Sequence, residues 1–567
     1  MVRYFKVFQN STFLMSLVGA VLLWAALAPL EWEPLGWIAP VPWIWLIRQE
    51  RLPGRRPYLM LWVVGFLFWM ATVHFIRLPH PATSIGWVAM SVYMGFYLPV
   101  FVALSRVGVH RCRISVLLVA PAVWTGLELI RAHLFTGITL GALAHTQYRF
   151  VPVIQIASIF GYYGVGFVVM FVAACLGRML PRTFMSAGSR AAGTRWTLWP
   201  LFPGILIFLG VLGYGYLQLY GYSDRPEKPT VHAALIQGSI DCTMKSDKGS
   251  AEKVILHYIN LSKKAVKEHK DLDLLIWPET MYKKPLLVSD EDLPMPEGWD
   301  RSEAEWKEEV QNTLFLNHQQ FLQLAQLFNM PVIVGFETEE YTRDGNHFYN
   351  SCFLTQPAPK KESDMFDHRY DKMHCVLFGE YVPFTDIFPA LQKLTPLDIS
   401  LTPGKGAQVY EVRGIRFCPN ICYENVMPHL VRRQVNELQA KGEEPDVLVT
   451  LTNDGWFWGS SALDLHLACA VFRAVECRKP MLVAANTGIS AWIDATGAIR
   501  AQGPRQATDI IVAEVGPHQG SSPYLDLGDW FADLCLIFCV FLFFFSLFAR
   551  LFVKKSAGPL ATGNRDV

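Results

Sequence analysis

Residues 415–424 read IRFCPNICYE and place Cys422 directly after a short apolar run. The run predicts a buried strand, and the polar step after it predicts that the thiol lies where that strand ends. On both sides of Cys422, over residues 223–527, short apolar runs alternate with amphipathic stretches. This segment is about 300 residues long, enough for one large domain, and the alternation predicts an α/β fold.

The predicted strands of this segment are 231–237, 273–277, 332–336, 347–354, 415–419, 446–452 and 481–486, and its predicted helices are 252–269, 310–328 and 463–478. Two stretches, 281–306 and 384–402, do not follow the alternation. Long irregular loops in compact domains are usually functional or disordered. The apolar, proline-broken stretch 384–402 fits either a lid that dips into lipid or a surface excursion packed on the domain.

Two further polar islands precede Cys422, Trp277–Pro278–Glu279 and Tyr370–Asp371–Lys372. Each follows a predicted strand or an aromatic-rich run, and α/β sheets build their sites at strand ends. A thiol has an ordinary pKa of about 8.5, so a carboxylate beside it is needed to take its proton. An ammonium and a backbone N–H receive the charge of the oxyanion that forms when a thiolate attacks a carbonyl. Glu279, Lys372 and Cys422, with the N–H of Tyr423, are therefore the parts of an acyl-transfer site.

Each of these residues also has an ordinary structural interpretation: a buried small cysteine, an acid after a proline, a solvated lysine. The neighbouring residues add candidates. Glu380 would keep the Lys372 ammonium charged, and Glu424 would do the same or brace the turn after Cys422. The candidates for a pocket wall or for the base of a Cys–His pair are Asn453–Asp454–Gly455–Trp456–Phe457, His374, His429 and His466.

The chain as a whole is too apolar for an ordinary soluble protein. Of its 567 residues 52% are hydrophobic and 17% are charged, with a mean hydropathy of +0.24. Because about 20 apolar residues cross a bilayer as a helix, the sequence predicts eight spans, at 12–30, 35–48, 58–78, 86–106, 115–134, 151–177, 198–220 and 530–553. The predicted domains are thus a membrane domain of seven helices over 1–222, the α/β domain over 223–527, and a closing helix with a tail over 528–567.

Basic residues concentrate in cytoplasmic loops, and here every second loop is basic, beginning with Arg3 and Lys6. This pattern predicts a cytoplasmic N-terminus and places 223–527 on the outer side of the membrane. Arg3, Lys6 and the small residues Ala26–Leu27–Ala28 also suit a cleavable signal peptide. A retained first helix is favoured, because a polytopic protein needs no removable signal.

The eleven cysteines are spread along the chain and do not form the dense framework of a small secreted protein. Cys418 and Cys422 have no second His or Cys pair at zinc-site spacing, so neither a metal nor a diffusible cofactor is predicted. The net charge is +1 and the outer domain has no basic stripe, which disfavours nucleic-acid binding.

Four islands together resemble the nitrilase, or carbon–nitrogen hydrolase, superfamily: Trp277–Glu279, 370–384, Asn420–Glu424 and 451–457. With several membrane spans before them, they are similar to the apolipoprotein N-acyltransferase family of Gram-negative inner membranes. Gln237–Gly238–Ser239–Ile240, Gln155–Ile156–Ala157 and Gly161–Tyr162–Tyr163–Gly164 resemble further motifs of that family.

The resemblance implies an αββα sandwich for 223–527, with Glu279 as general base, Lys372 as oxyanion stabiliser and Cys422 as nucleophile. Glu380 resembles the family's additional essential glutamate, and Tyr423, Glu424 and Trp456 match positions that line its site. The implied reaction moves a fatty acyl group from a phospholipid, through a Cys422 thioester, to the N-terminal amine of the diacylglyceryl-cysteine of an apolipoprotein. The implied location is the cell inner membrane, with the catalytic domain on the periplasmic side.

Two alternatives stay open at the level of sequence. A membrane-tethered amidase of the same fold would use the same Glu–Lys–Cys triad and let water resolve the thioester. A transporter or sensor would place polar residues along a path through the spans. The candidates for such a path are Glu128, Arg131, His145 and Gln147, whose grouping near one outer face suits lipid headgroup contact better.

Overall fold

The structure, a computed structural model, describes residues 11–181, 197–222, 229–241, 250–290, 293, 302–358, 368–382, 387–388, 400–518 and 520–556. Arg3 and Lys6, the basic loop 182–196 and most of 384–402 lie outside these ranges. The choice between a lid and a packed excursion for 384–402 therefore stays open.

Apolar helices form the N-terminal part of the chain, as predicted. They are α1 Thr12–Ala26, α2 Val41–Arg48, α3 Pro57–Thr72, α4 Thr83–Gly95, α5 Tyr97–His110, α6 Val116–His133, α7 Val151–Ile154, α8 Ala157–Phe160, α9 Tyr162–Met179 and α10 Leu201–Tyr220.

Five helical segments of the described chain are long and apolar enough to cross a membrane: Thr83–His110, Val116–Thr136, Tyr162–Met179, Leu201–Tyr220 and Trp530–Ala549. The helices α1 and α3, of 15 and 16 residues, are shorter. At about 1.5 Å per residue, α2 is roughly 12 Å long against a hydrocarbon core of about 30 Å. The chain is thus a helical membrane protein, but the count of eight spans stays a prediction.

The predicted span 151–177 is not one continuous helix. It consists of α7, α8 and α9, and the chain turns at Gly161, where φ is +64°. A Cβ at Gly161 would lie 2.7 Å from Cε2 of the Tyr524 ring, so only glycine fits this turn against Tyr524. The membrane crossing therefore begins only at Tyr162.

Two β-sheets packed face to face form the second part of the chain. The strands are β1 Val231–Gln237, β2 Leu274–Ile276, β3 Leu286–Ser289, β4 Val332–Thr342, β5 Gly345–Thr355, β6 Tyr370–Asp371, β7 Tyr410–Val412, β8 Ile415–Ile421, β9 Val447–Thr452, β10 Met481–Ala485, β11 Ala491–Ile493, β12 Ile499–Gln502 and β13 Asp509–Val515. One sheet has the order β13-β1-β2-β4-β5-β6, with β3 beside β4, and the other has the order β12-β11-β10-β9-β8-β7.

Helices cover the outer faces of both sheets, which confirms the predicted α/β sandwich. The helices are α11 Ser250–Glu268, α12 Glu303–Phe328, α13 Pro428–Ala440, α14 Ala462–Cys477 and α15 Pro523–Leu527, and the chain closes with the apolar helix α16 Trp530–Ser556. Strands of both sheets share one apolar core, to which Leu235, Val334, Phe353, Phe417, Leu451 and Leu482 belong.

The end of β8 lies against the membrane helices. The Tyr423 hydroxyl donates to the Gly137 carbonyl at 2.9 Å, and the Thr139 hydroxyl donates to the Val426 carbonyl at 2.6 Å. The Phe75 ring meets the Phe457 ring edge-on, with centroids 5.5 Å apart. The turn that carries Cys422 is therefore attached directly to the membrane domain.

The four polar residues Glu128, Arg131, His145 and Gln147 are buried. Glu128 accepts a hydrogen bond from the Leu143 N–H at 3.1 Å, and Arg131 donates to the Leu140 carbonyl at 3.0 Å. Their contacts hold the loop that follows α6. Headgroup contact by these four residues therefore stays a prediction.

Candidate active site

Cys422 is the first residue after β8 and opens a short 3-10 helix, Cys422–Val426. Its φ of +54° lies in the left-handed region, which is uncommon for a residue with a side chain and often marks a functional site. The residue as a whole is partly exposed. Burial and the Glu279 carboxylate raise its pKa well above the ordinary value, while the Lys372 ammonium opposes that rise. The sulfur is therefore protonated at neutral pH and needs a base before it can attack.

Glu424 fixes this conformation by accepting four hydrogen bonds. The donors are the Ile421 N–H at 2.7 Å, the Tyr370 hydroxyl at 2.7 Å, the Met373 N–H at 2.6 Å and the His374 N–H at 3.1 Å. Burial raises the pKa of Glu424, and these donors oppose that rise. The carboxylate thus ties the backbone after Lys372 to the backbone before Cys422, so that the two segments keep a fixed separation.

Glu279 follows β2 and is buried. Both of its oxygens accept hydrogen bonds, Oε1 from the Asn350 side-chain amide at 2.6 Å and Oε2 from the Asn453 N–H at 2.8 Å. Asn350 belongs to β5 and Asn453 follows β9, so one donor comes from each sheet. The carboxylate is therefore held between the two sheets and cannot rotate freely.

Lys372 follows the short strand β6 and is 1% exposed. Its Nζ donates to Glu380 Oε1 at 2.6 Å and lies 3.8 Å from Glu279 Oε1. Burial alone would lower the pKa of this ammonium, but Glu380, the Cys422 sulfur and Glu279 together raise it well above the ordinary value. The cation therefore stays charged between two carboxylates and beside the thiol.

This arrangement of acid, ammonium and thiol can be compared with known proteins. The family model described as "Carbon-nitrogen hydrolase" matches residues 232–521, and the model described as "Apolipoprotein N-acyltransferase N-terminal domain" matches residues 19–175. An apolipoprotein N-acyltransferase of Geobacter metallireducens is 32% identical over 542 residues, which cover 94% of this chain and 94% of that protein. The chain belongs to the apolipoprotein N-acyltransferase family.

Other members are similar over nearly as much of their length. The apolipoprotein N-acyltransferase of Rhodopirellula baltica is 28% identical and covers 91% of this chain and 93% of its own length. That of Haemophilus influenzae is 26% identical and covers 97% of each chain. The family relation therefore extends over both the membrane helices and the sandwich, as the sequence resemblance implied.

The remaining site residues expected of this apolipoprotein N-acyltransferase family member are Tyr423, Trp456 and Glu380. Tyr423 follows Cys422, and its hydroxyl is bound to the membrane domain at Gly137. Trp456 lies in the short 3-10 helix Asp454–Phe457 directly after β9. Glu380 also accepts a hydrogen bond from the Val376 N–H at 2.8 Å, which shapes the loop between Lys372 and Glu380. Among the residues that the structure describes, no group of three or more His, Cys, Asp and Glu side chains is placed to hold a metal ion.

His466, one of the candidate histidines, is not placed as the base of a Cys–His pair. His466 Nδ1 lies 3.0 Å from Asp454 Oδ1, and its Nε2 lies 3.0 Å from the carbonyl oxygen of Cys422, not from the sulfur. Burial lowers the pKa of His466, but Asp454 and the Cys422 carbonyl raise it above the ordinary value. His466 therefore supports the main chain of the nucleophile turn.

Asn350 is a site residue that the sequence did not reveal. Its side chain holds Glu279, and its carbonyl accepts a hydrogen bond from the Lys372 N–H at 2.8 Å. One asparagine thus sets the separation between the carboxylate and the lysine backbone. The sequence did hold one signal for Asn350, because it lies inside the apolar and aromatic stretch His347–Leu354. Burial of a side-chain amide there costs free energy unless the amide has hydrogen-bond partners.

Gly335 leaves room for Glu279. A Cβ at this position of β4 would lie 2.6 Å from the Pro278 carbonyl oxygen and 2.9 Å from the Glu279 Cα. We expect Gly335→Ala to displace Glu279 and to reduce acyl transfer about a hundredfold, since a misplacement of about 1 Å has that effect on catalysis. Gly210→Ala in α10 is the control, because a Cβ there meets no atom within 4 Å. Equal activity of the two variants, measured as lipopeptide acylation, would contradict the expectation.

Proposed function

We propose that this protein transfers a fatty acyl group from a membrane phospholipid, through a thioester on Cys422, to the α-amine of the diacylglyceryl-cysteine at the N-terminus of an apolipoprotein. The observation that carries this proposal is the Lys372 ammonium, buried between the Glu279 and Glu380 carboxylates and electrostatically coupled to the Cys422 thiol. Membership of the apolipoprotein N-acyltransferase family supplies the lipoprotein substrate class.

In the first half-reaction, Glu279 takes the proton of the Cys422 sulfur while the sulfur attacks the ester carbonyl carbon of the lipid. The carbonyl oxygen becomes an oxyanion, which the Lys372 ammonium and the Tyr423 N–H stabilise. The carbon–oxygen bond to glycerol then breaks. The leaving alkoxide takes the proton back from Glu279, which yields a lysophospholipid and the thioester.

In the second half-reaction, the lipopeptide amine attacks the thioester carbonyl carbon and Glu279 accepts a proton from the nitrogen. The carbon–sulfur bond breaks, the amide forms and the proton returns to the thiolate. Glu279 thus serves both half-reactions. The raised pKa of Lys372 keeps the oxyanion partner charged throughout.

The attachment of the nucleophile turn to the membrane domain supports a lipid donor rather than a water-soluble amide. Tyr423 and Val426 are hydrogen-bonded to Gly137 and Thr139, in the loop after α6. A hydrolase of soluble amides has no need of such contacts. The alternation of basic and non-basic loops supports an inner membrane location with the sandwich on the periplasmic side.

A two-stage mass measurement tests the proposed function. Incubation of the protein in phosphatidylethanolamine nanodiscs should add the mass of one acyl chain to a tryptic peptide containing Cys422. Addition of a diacylated lipopeptide should remove that mass and yield a triacylated lipopeptide. Release of free fatty acid without acylation of the lipopeptide would identify a hydrolase instead and overturn the proposal.

A substitution at Glu380 tests the role of the ammonium. We expect Glu380→Gln to slow acylation of Cys422 by about 10- to 100-fold, since a buried hydrogen bond to a charged group contributes about 1.5–3 kcal/mol. Without the Glu380 carboxylate, burial lowers the pKa of Lys372 and only the Cys422 sulfur and Glu279 oppose it. The matched control is Glu437→Gln, which removes a Glu–Lys contact of 2.9 Å at the surface, with Lys441. If the mass measurement gave comparable rates of Cys422 acylation for the two variants, the proposed role of Glu380 would be refuted.

A further inference from the structure

Three histidines lie where the membrane helices meet the catalytic domain. His133 is the last residue of α6, His429 is the second residue of α13, and His374 lies two residues after Lys372. The His133 and His429 rings are stacked, with centroids 4.3 Å apart and planes at 23°. The His374 ring is stacked on the Tyr423 ring, with centroids 6.1 Å apart and planes at 19°. This histidine cluster therefore borders the residue that follows the nucleophile.

Two ring nitrogens of the cluster are buried and unpaired. His374 Nε2 and His429 Nδ1 have no hydrogen-bond partner among the described residues. More than nine-tenths of buried polar groups in proteins have a partner, because an unmet one costs about 1–3 kcal/mol. Two such atoms on two histidines of one cluster leave two ring nitrogens available to a polar ligand.

The charges around the cluster favour an anion. Burial first, and then the neighbouring side chains His133, His374, Arg473 and Arg433, together lower the pKa of His429 to about 3. Burial and then Lys372 lower the pKa of His374. The imidazoles of His429 and His374 are therefore neutral, and an anion beside them would accept hydrogen bonds from their N–H groups and be attracted by Arg473, Arg433 and Lys372.

Acidic side chains near the cluster do not fill this role. Asp529 Oδ2 lies 3.9 Å from His133 Nε2, and Asp529 Oδ1 accepts a hydrogen bond from the Tyr524 hydroxyl at 2.8 Å. The oxygens of Glu424 are occupied by Tyr370 and three backbone N–H groups. Neither carboxylate contacts the unpaired nitrogens of His374 and His429.

The position of the cluster at the end of a membrane helix indicates which kind of anion is available to it. His133 lies near the end of the apolar segment Val116–Thr136. Beside it, Leu134 is 46% exposed and Phe135 is 65% exposed, as expected of side chains that face lipid. The His133 side chain is 46% exposed, so the cluster is open on one side. The end of a membrane helix lies at the level of the lipid headgroups, where the available anion is a phosphate.

We propose that the histidine cluster of His133, His374 and His429 binds the phosphate of the phospholipid headgroup and thereby presents the ester of the acyl donor to Cys422. This inference rests on the proposed function. His133, His374 and His429 are positioning residues, because they hold the donor and do not touch the reacting ester.

The test compares two acyl donors on the full-length protein in detergent micelles. One is a phosphatidylethanolamine with two palmitoyl chains, and the other is p-nitrophenyl palmitate, which has no phosphate. The variant is His429→Phe, which keeps a ring stacked on His133 but removes both nitrogens. We expect the KM for phosphatidylethanolamine to rise about tenfold, as for loss of one charged hydrogen bond, with kcat nearly unchanged. Acylation of Cys422 by p-nitrophenyl palmitate should not change.

His232→Phe is the matched control, because His232 lies near the start of β1, at the edge of the sheet opposite to the site. It should leave both donors unaffected. An equal loss with both donors in His429→Phe would show that His429 only supports the fold and would overturn the inference. Failure of the wild-type protein to form an acyl-enzyme with either donor would instead refute the proposed function.

Soluble competitors distinguish a lipid headgroup from free phosphate. Glycerophosphoethanolamine should inhibit acylation from phosphatidylethanolamine in the wild-type protein and should inhibit His429→Phe about tenfold less strongly. Inhibition by inorganic phosphate alone, with the same KM for phosphatidylethanolamine in both proteins, would identify a site for free phosphate. That result would overturn the assignment to the donor headgroup.

Discussion

Cys422→Ala is expected to form no acyl-enzyme and to lose at least about a thousandfold in lipopeptide acylation, because removal of a nucleophile leaves only the binding and oxyanion contributions. The substitution removes the sulfur of a residue that is partly exposed as a whole, and it adds no atom. Glu424 accepts its hydrogen bonds from backbone groups and Tyr370, so the turn keeps its contacts. The measurement is the intact mass after incubation with phosphatidylethanolamine, together with the melting temperature.

The controls for this prediction are the two other thiols near the site. Cys375 is 8% exposed and Cys418 is 1% exposed. Burial raises the pKa of Cys375 to about 12 and raises that of Cys418 still further. Cys375→Ala and Cys418→Ala should therefore still accept one acyl group. An acyl group found on Cys375 or Cys418 in the wild-type protein would refute the assignment of the nucleophile.

Most of the sandwich could be predicted from apolar periodicity. The core strands β1, β8, β9 and β10 lie within two residues of their predicted ends, because each is a short buried run bounded by polar residues. The helix α12 begins at Glu303, seven residues before the predicted start at 310. A local signal was present there, since the Ser302 hydroxyl accepts a hydrogen bond from the Glu305 N–H and the Glu305 carboxylate accepts one from the Ser302 N–H.

Two of the segments that the sequence missed lie in polar stretches, whereas β13, Asp509–Val515, was missed in spite of its apolar residues. The strand β3 lies in the proline-rich and acidic stretch 281–306 and is formed by pairing with β4. The second half of β4 carries Glu337, Glu339 and Glu340 and continues only because it pairs with β5. Such polar strands depend on a partner strand, which a periodicity argument along one segment does not reveal.

Glu279, Lys372 and Cys422 could be selected from sequence because each follows a strand at the same edge of the sandwich. The contacts that fix them could not be selected. Asn350 lies in mid-strand, and the Asn453 contact to Glu279 uses the main chain rather than the side chain. The histidine cluster joins segments some 300 residues apart in sequence, so only the tertiary fold brings His133 to His429.

The second large effect is expected at Glu279. Glu279→Gln should slow both half-reactions by about 10²- to 10⁴-fold, the usual contribution of a general base. Glutamine has nearly the same shape, but both oxygens of Glu279 face donors, the Asn350 amide and the Asn453 N–H. The amide nitrogen of glutamine must therefore face one of them, and we expect a loss of about 1 kcal/mol in the free energy of unfolding.

The reactivity of the thiol separates loss of the base from loss of the fold. After burial, the Glu279 carboxylate is the first cause that raises the pKa of Cys422, and the Lys372 ammonium opposes it. Removal of the negative charge at Glu279 must then lower the pKa of the thiol. The pH midpoint for alkylation of Cys422 by iodoacetamide should therefore move to lower pH in Glu279→Gln, although acyl transfer becomes slower. A misfolded site would lose both activities together, and a base that does not act on Cys422 would leave the alkylation midpoint where it is in the wild-type protein.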